Sequence, residues 1–419
     1  MIVIRGGRVL TEEGFTAADV LINDDTVVSV GPGLEAEKVI DARGCLVGPG
    51  FVDLHTHLRD PGQTWKEDLE SGLSAAAAGG FTAVVAMPNT DPALDDPGIV
   101  SDVVARAQSL GLAEVGVAAA LTRARSGREL SDLEGLHRVG VRLFSDDGDC
   151  LNEPGLLRAA MLRLRRLAGA RLAQHAEDPA LARGGHLHDG TVAAATGLEG
   201  SPSSAEETVV ARDLALVAET GAAYHCQHVS SAATVELIKE AKAQGLDVTA
   251  EVTPHHLFYD ERAVEDLNPD FKMYPPLRAP EDREALEGAL VDGVIDVVAT
   301  DHAPHTEAEK AVPFVEAPRG VVGLETAAAA VFTLTRDPRL LFRALSLRPA
   351  HIAGMERQGR LPSPGSPANL VVFDPESEMV VEGFRSKSSN SPFKNETLKG
   401  RVVATLFEGQ PVFELEVAG

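Results

Sequence analysis

The 419-residue sequence is poor in cysteine and in basic residues, and both shortages exclude classes of protein. Its three cysteines, Cys45, Cys150 and Cys226, are odd in number and far apart, which argues against a disulfide framework and favours a reducing, cytoplasmic location. Lys and Arg number 38 against 63 Asp and Glu, so the formal net charge of −25 gives no general attraction for nucleic acid or anionic lipid. No run of about 18 apolar residues occurs, so the sequence predicts no membrane span.

Apolar residues are plentiful, at 44% of the chain against 24% charged residues, which excludes a disordered or fibrous protein. Apolar runs rich in Val and Ala, each ending in polar residues, recur at 50–57, 81–89, 114–122, 140–147, 171–177, 222–230, 247–254 and 294–302. Such runs are typical of strands buried on both faces of a parallel sheet. Helix-like stretches that tend to end at glycine lie between them, and eight strand–helix units predict an α/β fold, the (β/α)8 TIM barrel. An open doubly wound sheet is the alternative, but no Gly-rich phosphate turn follows an early strand.

The two ends of the chain have a different pattern. Residues 1–48 and 356–419 contain short β-like runs separated by Gly and Pro turns, and LPSPGSP at 361–367 indicates a turn-rich connection. We therefore predict a small β domain formed by both chain termini, from residues 1–48 and 356–419, with the metal-dependent barrel of residues 49–355 inserted between them.

Side chains able to bind a metal end five of the eight predicted strands. His55 and His57 stand at i and i+2 on the first strand and so share one side of it. The others follow strands four, five, six and eight: Asp147, His175, His228 and Asp301. Strand ends converge on one face of such a barrel, and neutral imidazoles with carboxylates suit zinc or a similar divalent ion. Each residue alone has a structural explanation, but their joint placement predicts a metal centre.

Other histidines are weaker candidates. His186 and His188 lie in the turn-rich segment GGHLHDG and are expected at the surface, whereas His225 is expected to face the helices outside the barrel. His255 and His256 follow the seventh strand, where they could support the metal ligands or serve only the fold.

Longer motifs resemble a known family. GFVDLHTHLRDPG, followed by AAAAGGFTAVVAMPNT, is similar to the amidohydrolase superfamily, and specifically to the type I dihydroorotases. Later segments agree in order: FSDDG, AQHAEDP, QHVSS, EVTPHHL, PPLR, ATDHAPH and GVVGLET. The segment GSPANLVVFDP resembles the returning β domain of the superfamily, so the likeness covers nearly the whole chain.

The resemblance implies a zinc-dependent, reversible interconversion of dihydroorotate and N-carbamoyl-L-aspartate in de novo pyrimidine (UMP) biosynthesis. It implies that one zinc ion is bound by His55, His57 and Asp301, that a second is bound by His175 and His228, and that Asp147 bridges them. No lysine ends the fourth strand, which fits the type I pattern and leaves open one or two ions per subunit. Asp301 is placed to act as the catalytic acid–base, moving a proton from the attacking water to the leaving ring nitrogen.

Substrate binding is expected from residues close to these ligands. Arg59 lies two residues beyond His57 and can pair bidentately with the substrate carboxylate. The remaining candidates for substrate contact are His57, Asn89, Tyr274, His305, Arg319 and Gly320. Tyr274 is a departure, because the family usually has Asn before PPLR, and its hydroxyl either donates a hydrogen bond to the substrate or the contact is lost.

Two alternatives stay open on the sequence. The first is another cyclic-amide hydrolase, namely a dihydropyrimidinase, hydantoinase or allantoinase, although these carry a lysine at the end of the fourth strand. The second is a non-catalytic dihydroorotase-like scaffold for aspartate transcarbamoylase, which would be expected to have lost metal ligands. The resemblance further implies a small-molecule substrate, a homodimer and association with aspartate transcarbamoylase.

Overall fold

The computed structural model describes residues 1–415, in which two eight-stranded sheets and a two-stranded ribbon are connected by helices. The strands are β1 (Ile2–Thr11), β2 (Gly14–Asn23), β3 (Thr26–Gly31), β4 (Lys38–Asp41), β5 (Leu46–Pro49), β6 (Phe51–Thr56), β7 (Phe81–Ala86), β8 (Glu114–Ala119), β9 (Leu143–Phe144), β10 (Arg171–Gln174), β11 (Leu187–His188), β12 (Gly200–Ser201), β13 (Tyr224–Cys226), β14 (Val248–Val252), β15 (Val297–Val298), β16 (Leu370–Val380), β17 (Thr397–Phe407) and β18 (Gln410–Glu414). The α-helices are α1 (Leu69–Ala78), α2 (Pro97–Leu110), α3 (Leu133–Arg138), α4 (Pro154–Leu164), α5 (Pro179–Ala182), α6 (Thr191–Thr196), α7 (Ser204–Thr220), α8 (Ala232–Ala243), α9 (Pro254–Phe258), α10 (Pro280–Asp292), α11 (Glu307–Lys310), α12 (Ala327–Thr335), α13 (Pro338–Phe342) and α14 (Arg348–Ala353).

One sheet is the predicted barrel. Its strands follow the order β6-β7-β8-β9-β10-β13-β14-β15, and every neighbouring pair is parallel. The ring closes just beyond the last strand, where Thr56 bridges His302 and the His57 N–H donates to the His302 carbonyl at 2.8 Å. Each of the eight predicted strand regions contains one of these strands, so the (β/α)8 prediction is confirmed.

Helix α2 shows how the local sequence produces one strand–helix unit. The Asp96 carboxylate accepts hydrogen bonds from the second and third helical N–H groups, and Pro97 occupies the first turn, where its missing N–H costs nothing. Gly111 ends the helix at φ 66°, a left-handed conformation that glycine adopts without steric penalty. The face that packs on the barrel carries apolar side chains at helical spacing: Val100, Val103 and Ala107.

The second large sheet is built from both ends of the described chain. Its strand order is β18-β17-β16-β5-β1-β2-β3, with β4 paired to β1. The two ends meet where β5 runs antiparallel to β16, with Leu46 opposite Phe373. A separate sheet formed by both termini is therefore confirmed, whereas the boundaries after residue 48 and before residue 356 stay predictions. Within residues 1–415, no helix combines the length and the apolar character needed to cross a bilayer.

Phe342 fills the junction between the barrel and this sheet. Its fully buried ring lies 5.5 Å from the Phe51 ring and 5.9 Å from the Phe15 ring. We expect Phe342→Ala to lower the free energy of unfolding by about 3–5 kcal/mol, because it removes apolar contacts and leaves a cavity. Chemical denaturation measures this, with Val291→Ala on an exposed site as the control, expected within about 0.5 kcal/mol of wild type. Equal losses for the two variants would contradict the prediction.

Candidate active site

The predicted metal ligands converge where the barrel strands end. His55 belongs to β6 and His57 follows it, whereas the others follow β9, β10, β13 and β15: Asp147, His175, His228 and Asp301. All six side chains are buried, with between 0% and 6% of each residue exposed. Because parallel strands end on one face of a barrel, residues far apart in the chain become neighbours here.

Asp147 is shared by two groups of ligand atoms. One group is His55, His57 and Asp147, the other is Asp147, His175 and His228, and the atoms of each lie within 4.8 Å of one another. The Asp147 carboxylate reaches all four imidazoles, at 3.2 Å from His55, 3.6 Å from His57, 3.7 Å from His175 and 3.8 Å from His228. This is the arrangement expected of a carboxylate between two cations.

Asp301 adjoins the first of these groups only. Its Oδ1 lies 2.9 Å from His57 Nε2 and 3.5 Å from His55 Nε2. The described residues therefore hold three carboxylate or imidazole donors on one side of Asp147 and two on the other.

The hydrogen bonding of His55 tests whether a cation fits. Its Nδ1 lies 2.6 Å from Glu251 Oε1, and since a carboxylate only accepts, the ring proton is assigned to Nδ1. Its Nε2 therefore presents a lone pair to the ligand group and, within residues 1–415, has no hydrogen-bond partner although it is fully buried. A buried polar atom without a partner is costly, and a metal ion would satisfy it. The residues present fit a divalent ion.

Glu251 is a site residue that the sequence analysis missed. It lies on β14, is fully buried, and accepts hydrogen bonds from His55, from His225 Nε2 at 2.9 Å and from the His228 N–H at 3.1 Å. The one available signal was an acidic residue inside the apolar run DVTAEVTP. Glu251 orients the imidazole of one candidate ligand, His55, and binds the backbone N–H of another, His228.

The expectation that His225 faces the outer helices is wrong. Its ring bonds Thr249 Oγ1 at 2.8 Å as well as Glu251, so it points toward the barrel interior. The physical reason is strand alternation: Tyr224, one residue earlier, points outward and its hydroxyl donates to Asp213 on α7 at 3.1 Å. His186 and His188, expected at the surface, are half-buried.

Neighbouring imidazoles keep the buried carboxylates of the site ionised. Burial alone would raise the pKa of Glu251, but the nearby His55 and His225 hold it at about 2. The Asp301 pKa is likewise held below its ordinary value, because His55 and His57 outweigh the effect of burial. Burial and the neighbouring His228 lower the pKa of His175 to about 3, which keeps that imidazole in the neutral form that binds metals.

The ligand group opens into a cavity of about 160 Å³. Besides five of the six ligands, its lining includes every other residue predicted to touch substrate: Arg59, Asn89, Tyr274, His305, Arg319 and Gly320. The structure thus brings the two predicted sets together, and the role of each member stays a prediction.

Arg59 is one of two arginines that line this cavity, the other being Arg319. Its Nε donates to the Pro304 carbonyl at 3.3 Å, and its terminal nitrogens bond no other residue in the 1–415 range. Burial lowers the pKa of the guanidinium to about 10, against the effect of the nearby Asp301 and Asp147, so it stays charged at neutral pH. Asn89 Oδ1 lies 2.7 Å from His57 Nδ1, so this amide orients a ligand as well as lining the cavity.

Tyr274 forms one wall of the cavity by stacking. Its ring centroid lies 4.7 Å from that of His175, and the Arg319 guanidinium lies 4.3 Å from the Tyr274 centroid. Arg319 also donates to the carbonyls of Gly184 and Gly185, at 3.0 and 2.6 Å. Arg319 therefore joins the loop after β15 to the loop after β10, across the mouth of the barrel.

Comparisons with known proteins agree with this architecture. A family model described as Dihydro-orotase-like matches residues 44–234. A dihydroorotase from Mycobacterium bovis is 45% identical over 422 residues, which cover 98% of this chain and 97% of that protein.

Solved structures extend the likeness to the whole fold. A dihydropyrimidinase from Brevibacillus agri matches with a TM-score of 0.83 at 26% identity, over 98% of this chain and 95% of that one. An L-hydantoinase from Arthrobacter aurescens matches with a TM-score of 0.88 at 26% identity, over 99% and 96%. The sequence identity over nearly full length shows that the chain belongs to the dihydroorotase family.

Proposed function

We propose that this protein is a dihydroorotase, which interconverts dihydroorotate and N-carbamoyl-L-aspartate in de novo pyrimidine (UMP) biosynthesis. The observation that carries the proposal is the convergence of six buried side chains able to bind a metal beside Arg59, in a chain 45% identical to a dihydroorotase. Opening a cyclic amide requires activation of water and of the carbonyl, and binding an anionic ring requires a cation; the site offers residues for both.

Zinc is the metal we propose, as one or two ions per subunit. His55, His57 and Asp301 would hold one ion, His175 and His228 the other, and Asp147 would lie between them. When bound, zinc lowers the pKa of water to about 7 and polarises a carbonyl oxygen. Histidine nitrogens with carboxylate oxygens are a donor set that zinc accepts.

The chain's own residues position the substrate and move the proton. Arg59 binds the ring carboxylate and turns the amide toward Asp301. The Asp301 carboxylate, ionised and 2.9 Å from His57 Nε2, accepts a proton from the attacking water and returns it to the ring nitrogen that leaves. In ring closure the same carboxylate moves the proton in the opposite direction.

Hydrolysis of a neutral cyclic amide is the second candidate, favoured by the likeness to a hydantoinase at a TM-score of 0.88. Two observations rank it lower. The chain is 26% identical to that hydantoinase but 45% identical to the dihydroorotase from Mycobacterium bovis. Arg59 also lines the cavity, and a ring without a carboxylate needs no cation there. Turnover of dihydroorotate, dihydrouracil, hydantoin and allantoin by the zinc-loaded protein decides between them. Equal or faster turnover of the neutral rings would overturn the proposal. A protein that retains no zinc and turns over none of these substrates would support the scaffold alternative.

Arg59→Gln should reduce kcat/KM for dihydroorotate by about 10- to 100-fold, since hydrogen bonds to a charged group contribute about 1.5–3 kcal/mol. Turnover of the neutral ring dihydrouracil should change little, and steady-state kinetics on both substrates measure the contrast. Arg106→Gln is the control. Arg106 lies on α2 and pairs with Asp60, the residue that follows Arg59, but it does not line the cavity. An equal loss of kcat/KM for both substrates would show that Arg59 does not bind the carboxylate.

The remaining proposals concern assembly. We propose a homodimer, association with aspartate transcarbamoylase, no nucleic-acid or membrane partner, and a cytoplasmic location. Light scattering of the purified protein, alone and mixed with aspartate transcarbamoylase, tests the first two: a monomeric mass would refute the dimer, and unchanged masses on mixing would refute the association.

A further inference from the structure

The segment between β16 and β17, residues 381–396, leaves the sheet built from both chain ends and lies against the mouth of the barrel. Ser388 donates to the Lys66 carbonyl at 2.8 Å, and the Lys387 N–H donates to Glu67 Oε1 at 3.2 Å, so the segment contacts the loop after β6. Its next contact, through Asn390, is with the loop after β15, which carries His305 and Gly320.

Asn390 bonds this second loop at both of its ends. Its Oδ1 accepts from the His305 N–H at 3.0 Å, and its Nδ2 donates to the carbonyls of Ala303 at 3.1 Å and Gly320 at 3.0 Å. The Asn390 carbonyl accepts from the Val322 N–H at 2.9 Å. Only 3% of the residue is exposed, so water does not compete for these bonds.

The two ends of the loop formed by residues 303–320 lie very close together, so the loop depends on the hydrogen bonds that hold these ends in place. Gly320 has φ 126°, and a Cβ at that position would lie 2.7 Å from the Ala303 Cβ. His305 Nε2 lies 2.8 Å from the Arg319 carbonyl, a second link across the loop. Ala303, His305, Arg319 and Gly320 all line the cavity, whereas Asn390 does not.

We propose that Asn390 is a positioning residue for substrate binding, holding His305 and the Gly320 backbone at the cavity wall from the far side. This rests on the proposed function, since it assumes that the cavity binds dihydroorotate. The hydrogen bonds of Asn390 hold the 303–320 loop in place before the substrate binds. Their loss should therefore weaken substrate binding more than it slows the chemical step.

Asn369 offers a matched control. It is also 3% exposed, its Nδ2 donates to the Arg357 carbonyl at 3.2 Å, and its Oδ1 accepts from the Glu408 N–H at 2.8 Å. Asn369 immediately precedes β16, Arg357 follows α14 and Glu408 lies between β17 and β18, and none of the three lines the cavity. A purely structural asparagine at 390 should therefore behave as Asn369 does.

The experiment compares Asn390→Ala with Asn369→Ala in zinc-loaded full-length protein. We expect KM for dihydroorotate to rise at least about tenfold in Asn390→Ala, with a smaller change in kcat, because a loop that is no longer held in place must be ordered when the substrate binds. Bound zinc should match wild type in both variants. Asn369→Ala should lower the Tm comparably and keep the wild-type KM.

Asn390→Asp is the second variant, and it tests the same prediction if Asn390→Ala does not fold. It keeps an oxygen for the His305 N–H but has no donor for the Ala303 and Gly320 carbonyls, so KM should again rise. Amide hydrogen exchange across residues 303–322 should be faster in both Asn390 variants. An unchanged KM, or an equal rise in Asn369→Ala, would overturn the inference while wild type still turns over dihydroorotate. A wild type without that turnover would instead refute the proposed function.

Discussion

Asp301→Asn is expected to reduce kcat by about three to four orders of magnitude, the upper part of the range that a positioned general acid–base supplies. The amide keeps the shape of the side chain and one oxygen, but it neither accepts the proton from water nor returns it to the leaving nitrogen. Since the five other proposed ligands remain, a substantial fraction of the zinc should stay bound. Turnover measured alongside zinc content in the same preparations separates the proton role from metal binding.

Asp296→Asn is the matched control for this result. Asp296 lies before β15 and Asp301 after it, and Asp296 pairs with Lys242 and Arg348 away from the cavity. This variant should lose stability and keep kcat. An Asp301→Asn enzyme with the wild-type rate would refute the acid–base role, whatever its zinc content.

Asp147→Asn is expected to remove zinc from both ligand groups and to leave only background turnover. The carboxylate approaches four imidazoles, so its loss removes negative charge from both sides at once. His175 and His228 would then keep no carboxylate in their group. Zinc content after dialysis and turnover in excess zinc measure the two effects.

The neighbouring residue supplies the comparison. Asp146 is as buried as Asp147, at 2% exposed, but its carboxylate accepts hydrogen bonds from the N–H and hydroxyl of Thr122. Asp146→Asn should therefore disturb a loop and leave zinc content near wild type. Equal zinc loss in the two variants, or full zinc retention in Asp147→Asn, would show that Asp147 does not bridge.

Most of the barrel and the ligand group could be predicted because their signals are local. Apolar runs mark strands buried on both faces, and the polar residue that ends such a run must lie on the catalytic face. His55 and His57 needed only the two-residue strand period to be placed together. The strand bounds were less accessible, since β9 and β15 are two residues long inside predicted runs of eight and nine residues.

The residues that were missed act through contacts that no local pattern records. Glu251 looks like an isolated acid in a strand until β14 is placed beside β13 and opposite His55. Asn390 lies in a connection between two strands of the other sheet, and the three partners of its side chain are 70, 85 and 87 residues away. The direction of His225 was predicted wrongly because side chains alternate between the two faces of β13, and the sequence does not show which face Tyr224 occupies. The bond from Tyr224 to Asp213 on α7 shows that Tyr224 points outward, so His225 points inward.

The pairing of β5 with β16 has a consequence for synthesis on the ribosome. Leu46 emerges early, but its partner Phe373 is translated only after the whole barrel, a delay of roughly 15 to 65 s at about 5–20 residues per second. Throughout that interval the nascent chain carries an unsatisfied strand edge, the kind of surface that recruits other chains. The exposed edge of β5 is therefore a point at which incomplete chains can associate before β16 is synthesised.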